Sequence, residues 1–147
     1  MKSKPQLWLI ALAGMLCLAV CLGAAGEGAA FPGEPEGFGG LTWGTPKEAL
    51  EPVRYVGTDN DGILLYERAG DEPYFGRARL VAIQYGFKDG RLATGTLKVD
   101  SLLQYLLMKE EALRRYGRGR ELTKMKDGYV WNGERTQISL VGNFSDS

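Results

Sequence analysis

The sequence predicts a single α+β domain: a mostly antiparallel sheet of about five to six short strands, one long helix packed on one face, and a short N-terminal helix. Three observations lead there. Residues 80–87, "LVAIQYGF", alternate with a period of two and run into the hairpin signal Asp89-Gly90. Residues 101–116 carry a helical period behind Ser101, and Asp127-Gly128 and Asn132-Gly133 then cut the tail into short extended pieces.

The first element is not part of that domain. Lys2 and Lys4 precede a charge-free apolar run over residues 7–25, followed by small residues at Gly23-Ala24-Ala25 and Gly28-Ala29-Ala30. A basic start, an apolar middle and a small-residue end describe a secretory signal peptide, expected over residues 1–25 with an alternative cut after Ala30. Two alternatives compete with cleavage. A run of that length could stay as a membrane anchor through residues 7–25, since ~20 apolar residues span a bilayer core. Cys21 could instead carry a lipid, for which Leu18 and Ala19 are suitably placed and Val20 is too bulky. The expected location is therefore exported, periplasmic or secreted, with a membrane contact only if this segment is retained or lipidated.

Removal of the leader takes both cysteines, Cys17 and Cys21, and the chain has no histidine. The remaining chain then has no thiolate nucleophile, disulfide, Cys or His ligand for zinc or haem, or histidine base. No cofactor and no metal are expected. Without Lys2 and Lys4 the balance of 18 basic to 18 acidic residues becomes 16 to 18, which gives no overall attraction to nucleic acid.

Residues 26–40, rich in Gly and Pro, predict a flexible tether, so the domain is expected over residues 41–142 with a tail at 143–147. "TPKE", residues 45–48, offers Thr at the N-cap, Pro at the first helical position and Glu where a capping box wants it. Pro52 then limits this helix to about two turns. After "TDNDG" comes a short strand over residues 63–68, a polar loop to Gly76, and the strand at 80–87, whose return partner is "RLATGTLKV". Gly95 inside that partner predicts a bulge or the close approach of another element. In the long helix the apolar face is expected at Leu102, Tyr105, Leu106, Ala112, Leu113 and Tyr116, with Glu110–Arg114 and Glu111–Arg115 pairs outside and Gly117 as the stop. Three strands follow, over residues 121–126, 129–131 and 135–141.

"FGGLTWGTPKEAL", "QYGFKDGRL", "LRRYG" and "YVWNGERTQISL" together resemble small exported bacterial proteins of uncharacterised function. Trp43-Gly44-Thr45, Phe87 with Gly90, Tyr116-Gly117 and Trp131 with Gly133 carry the resemblance across residues 38–140. It implies an exported bacterial domain and no particular activity. Element order is also similar to small envelope-assembly and β-lactamase-inhibitor folds, as fold analogy.

Candidate site residues lie in the loop "YERAGDEPYF", where Tyr66, Glu67, Asp71, Glu72, Tyr74 and Phe75 mix carboxylates and aromatics as peptide- or glycan-binding loops do. Trp43 is expected at the edge of that site. "RRYGRGR" gives a secondary basic surface of Arg114, Arg115, Arg118 and Arg120, which also suits a helix C-terminus. Asp59, Asp61 and Gly62 suggest calcium, but an EF-hand register puts Arg68 where a bidentate Glu is required, so a turn is expected instead. No catalytic residue is assigned. The expected function is a non-catalytic binding or assembly module of the bacterial cell envelope, its partner a protein, peptide or glycan. The alternatives are a carboxylate-based periplasmic hydrolase using two of Glu67, Asp71 and Glu72, and a membrane-anchored accessory subunit.

Overall fold

A computed structural model describes residues 6–13, 29–122 and 128–144. Cys17, Cys21 and the cleavage position after Ala25 lie outside the described residues, as do residues 123–126 of the expected strand at 121–126.

Strand β1 is Gln6–Ala13. The ribbon β2 (Gly37–Phe38) with β3 (Leu41–Thr42) and a 3₁₀ turn at Lys47–Ala49 come next. Then follow β4 (Val53–Thr58), β5 (Leu64–Arg68), the ribbon β6 (Tyr74–Phe75) with β7 (Ala78–Arg79), β8 (Ala82–Lys88) and β9 (Arg91–Val99). Helix α1 (Leu102–Tyr116) leads to β10 (Arg120–Glu121), β11 (Gly128–Asn132) and β12 (Gln137–Phe144). Among the described residues the fold is α+β with a largely antiparallel sheet and one α-helix.

The main sheet has eight strands, ordered β10-β11-β12-β1-β9-β8-β5-β4, beside the two small ribbons. The expectation of five to six strands was too low for two physical reasons. Val53–Thr58, to which the sequence reading gave no element, pairs with β5 as an edge strand directly after Pro52. Gln6–Ala13, read as part of the leader, forms a parallel strand between β9 and β12.

The short N-terminal helix shrinks to one 3₁₀ turn. Thr45 Oγ1 donates to the Thr42 carbonyl at 2.7 Å instead of capping, and Pro46 is extended. The backbone here is committed to the β8–β9 hairpin, with Leu92 N donating to Thr45 O at 2.9 Å and Lys47 N to Gly90 O at 3.1 Å. Those bonds use the groups that a longer helix would need.

The tether expectation is also corrected from residue 31 onward. Phe31 meets Tyr116 edge-on at 5.9 Å, and Glu34 Oε1 accepts from Arg135 N and Thr136 N at 2.6 and 2.9 Å. Residues 31–45 form an ordered strap across the sheet. At its centre Thr136, fully buried, donates to the Pro35 carbonyl at 2.5 Å and accepts from Trp43 Nε1 at 2.8 Å. Thr136→Val keeps the shape but leaves an indole N–H and a carbonyl without that partner, so a loss of about 1–3 kcal/mol is expected by denaturant unfolding.

Helix α1 starts as its sequence asks. Ser101 Oγ accepts from Gln104 N at 3.2 Å, and Gly117, at φ 76, ends it with its N–H on the Leu113 carbonyl at 3.0 Å. Its buried face is Tyr105, Met108, Ala112 and Tyr116. Leu102 and Leu106, expected inside, are exposed with Leu103, because at about 100° per residue they fall beside the buried stripe of Tyr105, Met108, Ala112 and Tyr116. Glu111 binds both Arg114 and Arg115, while Glu110 reaches Arg77 at 2.7 Å instead of pairing along the helix. Against this face pack Leu7, Leu97, Val99, Ile138 and Leu140 in the larger core; Leu50, Tyr85, Phe87 and Leu92 make the smaller one.

Candidate functional site

The strap, the β6–β7 ribbon and the C-terminal end of α1 meet over the sheet and enclose a cavity of about 360 Å³. Its floor is the helix-facing side of the sheet, with Leu7, Ile83, Tyr85 and Leu97. The walls are Phe38 from the strap, Phe75 and Leu80 from the ribbon, and Tyr116 with Arg115 from the helix. The alternation of β8 and β9 produces the floor: Ile83 lies level with Leu97, and Tyr85 with Gly95. Gly95 is needed there because a Cβ would run into the Phe38 ring, which is the close approach its sequence position predicts.

A polar cluster closes one end. Asp71 Oδ2 accepts from the Tyr85 hydroxyl at 2.6 Å, and Asp71 Oδ1 accepts from Arg68 Nε at 2.8 Å. Arg68 also donates to the Gly39 carbonyl at 2.9 Å and lies 5.0 Å from the centre of the Tyr85 ring. Loop, sheet and strap are thus joined by one arginine. At the opposite wall the Arg115 guanidinium stacks 4.3 Å from the Phe75 ring centre. The hydrogen bond from Arg114, assisted by that from Arg115 and opposed by partial burial, pulls the Glu111 carboxyl down to about 2.

Burial, and then donation to Asp71, raises the Tyr85 hydroxyl above the ordinary tyrosine value; burial does the same for Tyr116. Folding therefore favours the protonated Tyr85, and that contribution is complete below about pH 10 and declines as the pH rises beyond it. Ultraviolet titration should show tyrosines that ionise only well above pH 10, and Tyr85→Phe should remove one of them.

Four residues of the loop singled out from the sequence line this cavity: Asp71, Glu72, Tyr74 and Phe75. They do not serve alike. Tyr74 is 57 % exposed at the mouth, whereas Phe75 is 5 % exposed and belongs to the core. Tyr66 is elsewhere, edge-on to Tyr55 and Phe87, each at 5.7 Å. Glu67 pairs with Arg54 at 2.6 Å and lines a second, smaller cavity of about 170 Å³. Trp43 is not an edge of the site, because its indole is held by Thr136 and packs on the smaller core. Of the basic run only Arg115 reaches the cavity; Arg114 is held by Glu111, and Arg118 and Arg120 are exposed away from it. Sequence reasoning missed Phe38, Arg68, Tyr85 and Tyr116. Tyr85 was visible as part of an aromatic alternation, but the strap that covers it was not.

Two of the three carboxylates named for hydrolysis are bound to an arginine, Glu67 to Arg54 and Asp71 to Arg68, while Glu72 lines the cavity. Asp59 Oδ1 accepts from Asp61 N and Ile63 N, both at 2.9 Å, which makes "TDNDG" a side-chain-closed turn. Among the described residues no group of three or more His, Cys, Asp or Glu could hold a metal ion, and no helix is long and apolar enough to cross a membrane.

Comparisons with protein-family models, with curated proteins and with solved structures gave no match. Function is therefore read from the site itself.

Proposed function

We propose that this chain is an exported, non-catalytic binding module of the bacterial cell envelope, which captures a peptide segment of a partner protein at the cavity beneath the strap. The observation that carries this reading is the cavity's composition. Its volume of about 360 Å³ falls in the usual range for ligand sites, and its lining of Phe38, Phe75, Leu80, Ile83 and Leu97 suits an apolar side chain. The Arg68–Asp71–Tyr85 cluster holds the mouth in shape, and Tyr74 supplies an exposed aromatic beside it. Export is supported by the leader grammar of residues 1–25.

A photo-crosslinking side chain at position 74, introduced in the native host, should join the module to a partner segment. Tyr74→Ala should weaken capture of that partner about fivefold or more while leaving thermal unfolding within a few degrees of the parent. Absence of a crosslink, or capture unchanged by Tyr74→Ala, would contradict the reading.

A further inference from the structure

Residues 6–13 carry two roles that cannot hold at once in a processed protein. By sequence they open the apolar segment behind Lys2 and Lys4 that a signal peptidase would remove. By structure they are β1, an interior strand, parallel to β12 along all eight of its residues and to β9 over six. Leu7 lies level with Gly95 and Ile138, is 3 % exposed, and forms part of the cavity floor.

Removing β1 would leave two facing edges, each with a row of backbone N–H and C=O groups. They would stand two strand spacings apart, ~9.5 Å. Two braces keep that separation. At the end where β1 begins, the strap bridges the gap: Gly44 N donates to Leu92 O in β9 at 2.8 Å, while Trp43 Nε1 donates to Thr136, just before β12, at 2.8 Å. Across the face, α1 packs Tyr105, Met108 and Ala112 in one core with Leu97 and Val99 on one side and Ile138 and Leu140 on the other. Closing the gap by direct β9–β12 pairing would have to break the first brace and repack the second.

We propose that in the processed protein this slot accepts a strand donated by a different protein: an extended, uncharged apolar stretch of about six to eight residues, running parallel to β9 and β12. This deepens the binding reading and rests on it, since the cavity becomes the pocket for the donor's side chain at the Leu7 level. The occupant's chemistry is that of β1 itself, "QLWLIALA", which has no charge, no Pro and no Gly. Backbone pairing on both edges supplies affinity, and the cavity supplies specificity. A second processed copy has lost this segment, so the donor is another chain.

The test uses the full chain with a protease site engineered at residues 26–28, cut after folding. A labelled peptide carrying QLWLIALA between solubilising lysines is then added in excess, and amide exchange is followed in residues 94–99 and 137–142. The expected result is exchange of the labelled peptide into a one-to-one complex, with these amides protected while it is bound and faster-exchanging once the segment has been washed out. Replacing the peptide's leucine equivalent to Leu7 by Asp, or its central Ile by Pro, should weaken binding tenfold or more. Should the cut chain unfold on losing the segment, recovery of the fold by added peptide supports the slot, and failure to recover it overturns the proposal. Protection of both strands without peptide, or equal binding of the Asp and Pro peptides, also overturns it. Loss of partner capture in Tyr74→Ala alongside a closed slot would leave the cavity reading standing and remove only the strand donation.

Discussion

Phe75→Ala should lower the unfolding free energy by about 3–5 kcal/mol, whereas Tyr74→Ala, one residue earlier, should leave it nearly unchanged. Both belong to the two-residue strand β6 and both line the cavity, yet alternation sends them to opposite environments. Phe75 is buried in the larger core, and its ring carries the Arg115 guanidinium. Its loss therefore removes packing and opens a void. Tyr74 is more than half exposed, so truncating it removes surface at the mouth and little else. The pair separates stability from capture: urea unfolding should distinguish the first variant and partner crosslinking the second. Equal stability of the two variants would mean that Phe75 does not support the cavity wall.

Gly95→Ala is the second large effect, with an expected loss of about 1–3 kcal/mol from a single added methyl group. The reason is contact, since the new Cβ would run into the Phe38 ring, itself packed at a tilt against Tyr85 with ring centres 4.9 Å apart. The strap would have to lift, and with it the Arg68 bond to the Gly39 carbonyl. Combining Gly95→Ala with Phe38→Ala should cost less than the sum of the two, because the clash vanishes with the ring. A strictly additive double variant would show that the strap does not press on β9.

These effects also show where the sequence was readable. Local signals translated well: Arg91–Val99 forms the predicted return strand, and Ser101 and Gly117 cap the helix as their positions suggest. The alternation predicts one face of Val81, Ile83, Tyr85 and Phe87; the last three pack on the cores from within β8, whereas Val81 precedes the strand and is exposed. Signals that depend on a distant partner did not translate. Thr45 looks like an N-cap until the β8–β9 hairpin claims its carbonyl. Glu34 and Phe38 sit in a Gly/Pro-rich stretch that is indistinguishable from a tether without Thr136, Arg135 and Tyr85, about 50 to 100 positions away. The site followed the same rule. Its loop was legible from composition, but the division of Tyr74 from Phe75, and the Arg68–Asp71–Tyr85 cluster, depend on the strap and sheet meeting in space.

The apolar start of the chain is the sharpest case. An uncharged run of Leu, Ile, Trp and Ala serves equally as the h-region of an export signal and as a fully buried parallel strand, because both demand a continuous apolar stretch. Periodicity cannot choose between them, and the two roles lead to different proteins.

Intact mass of the natural protein, purified from its host with soluble and membrane fractions kept apart, decides which one exists. A soluble species whose mass begins at Gly26 or Phe31 is the predicted result: the leader has been removed, β1 with it, and the β9–β12 slot is open to a donated strand. A mass that still includes residues 1–25 would contradict the account, since β1 would then be a permanent part of the sheet.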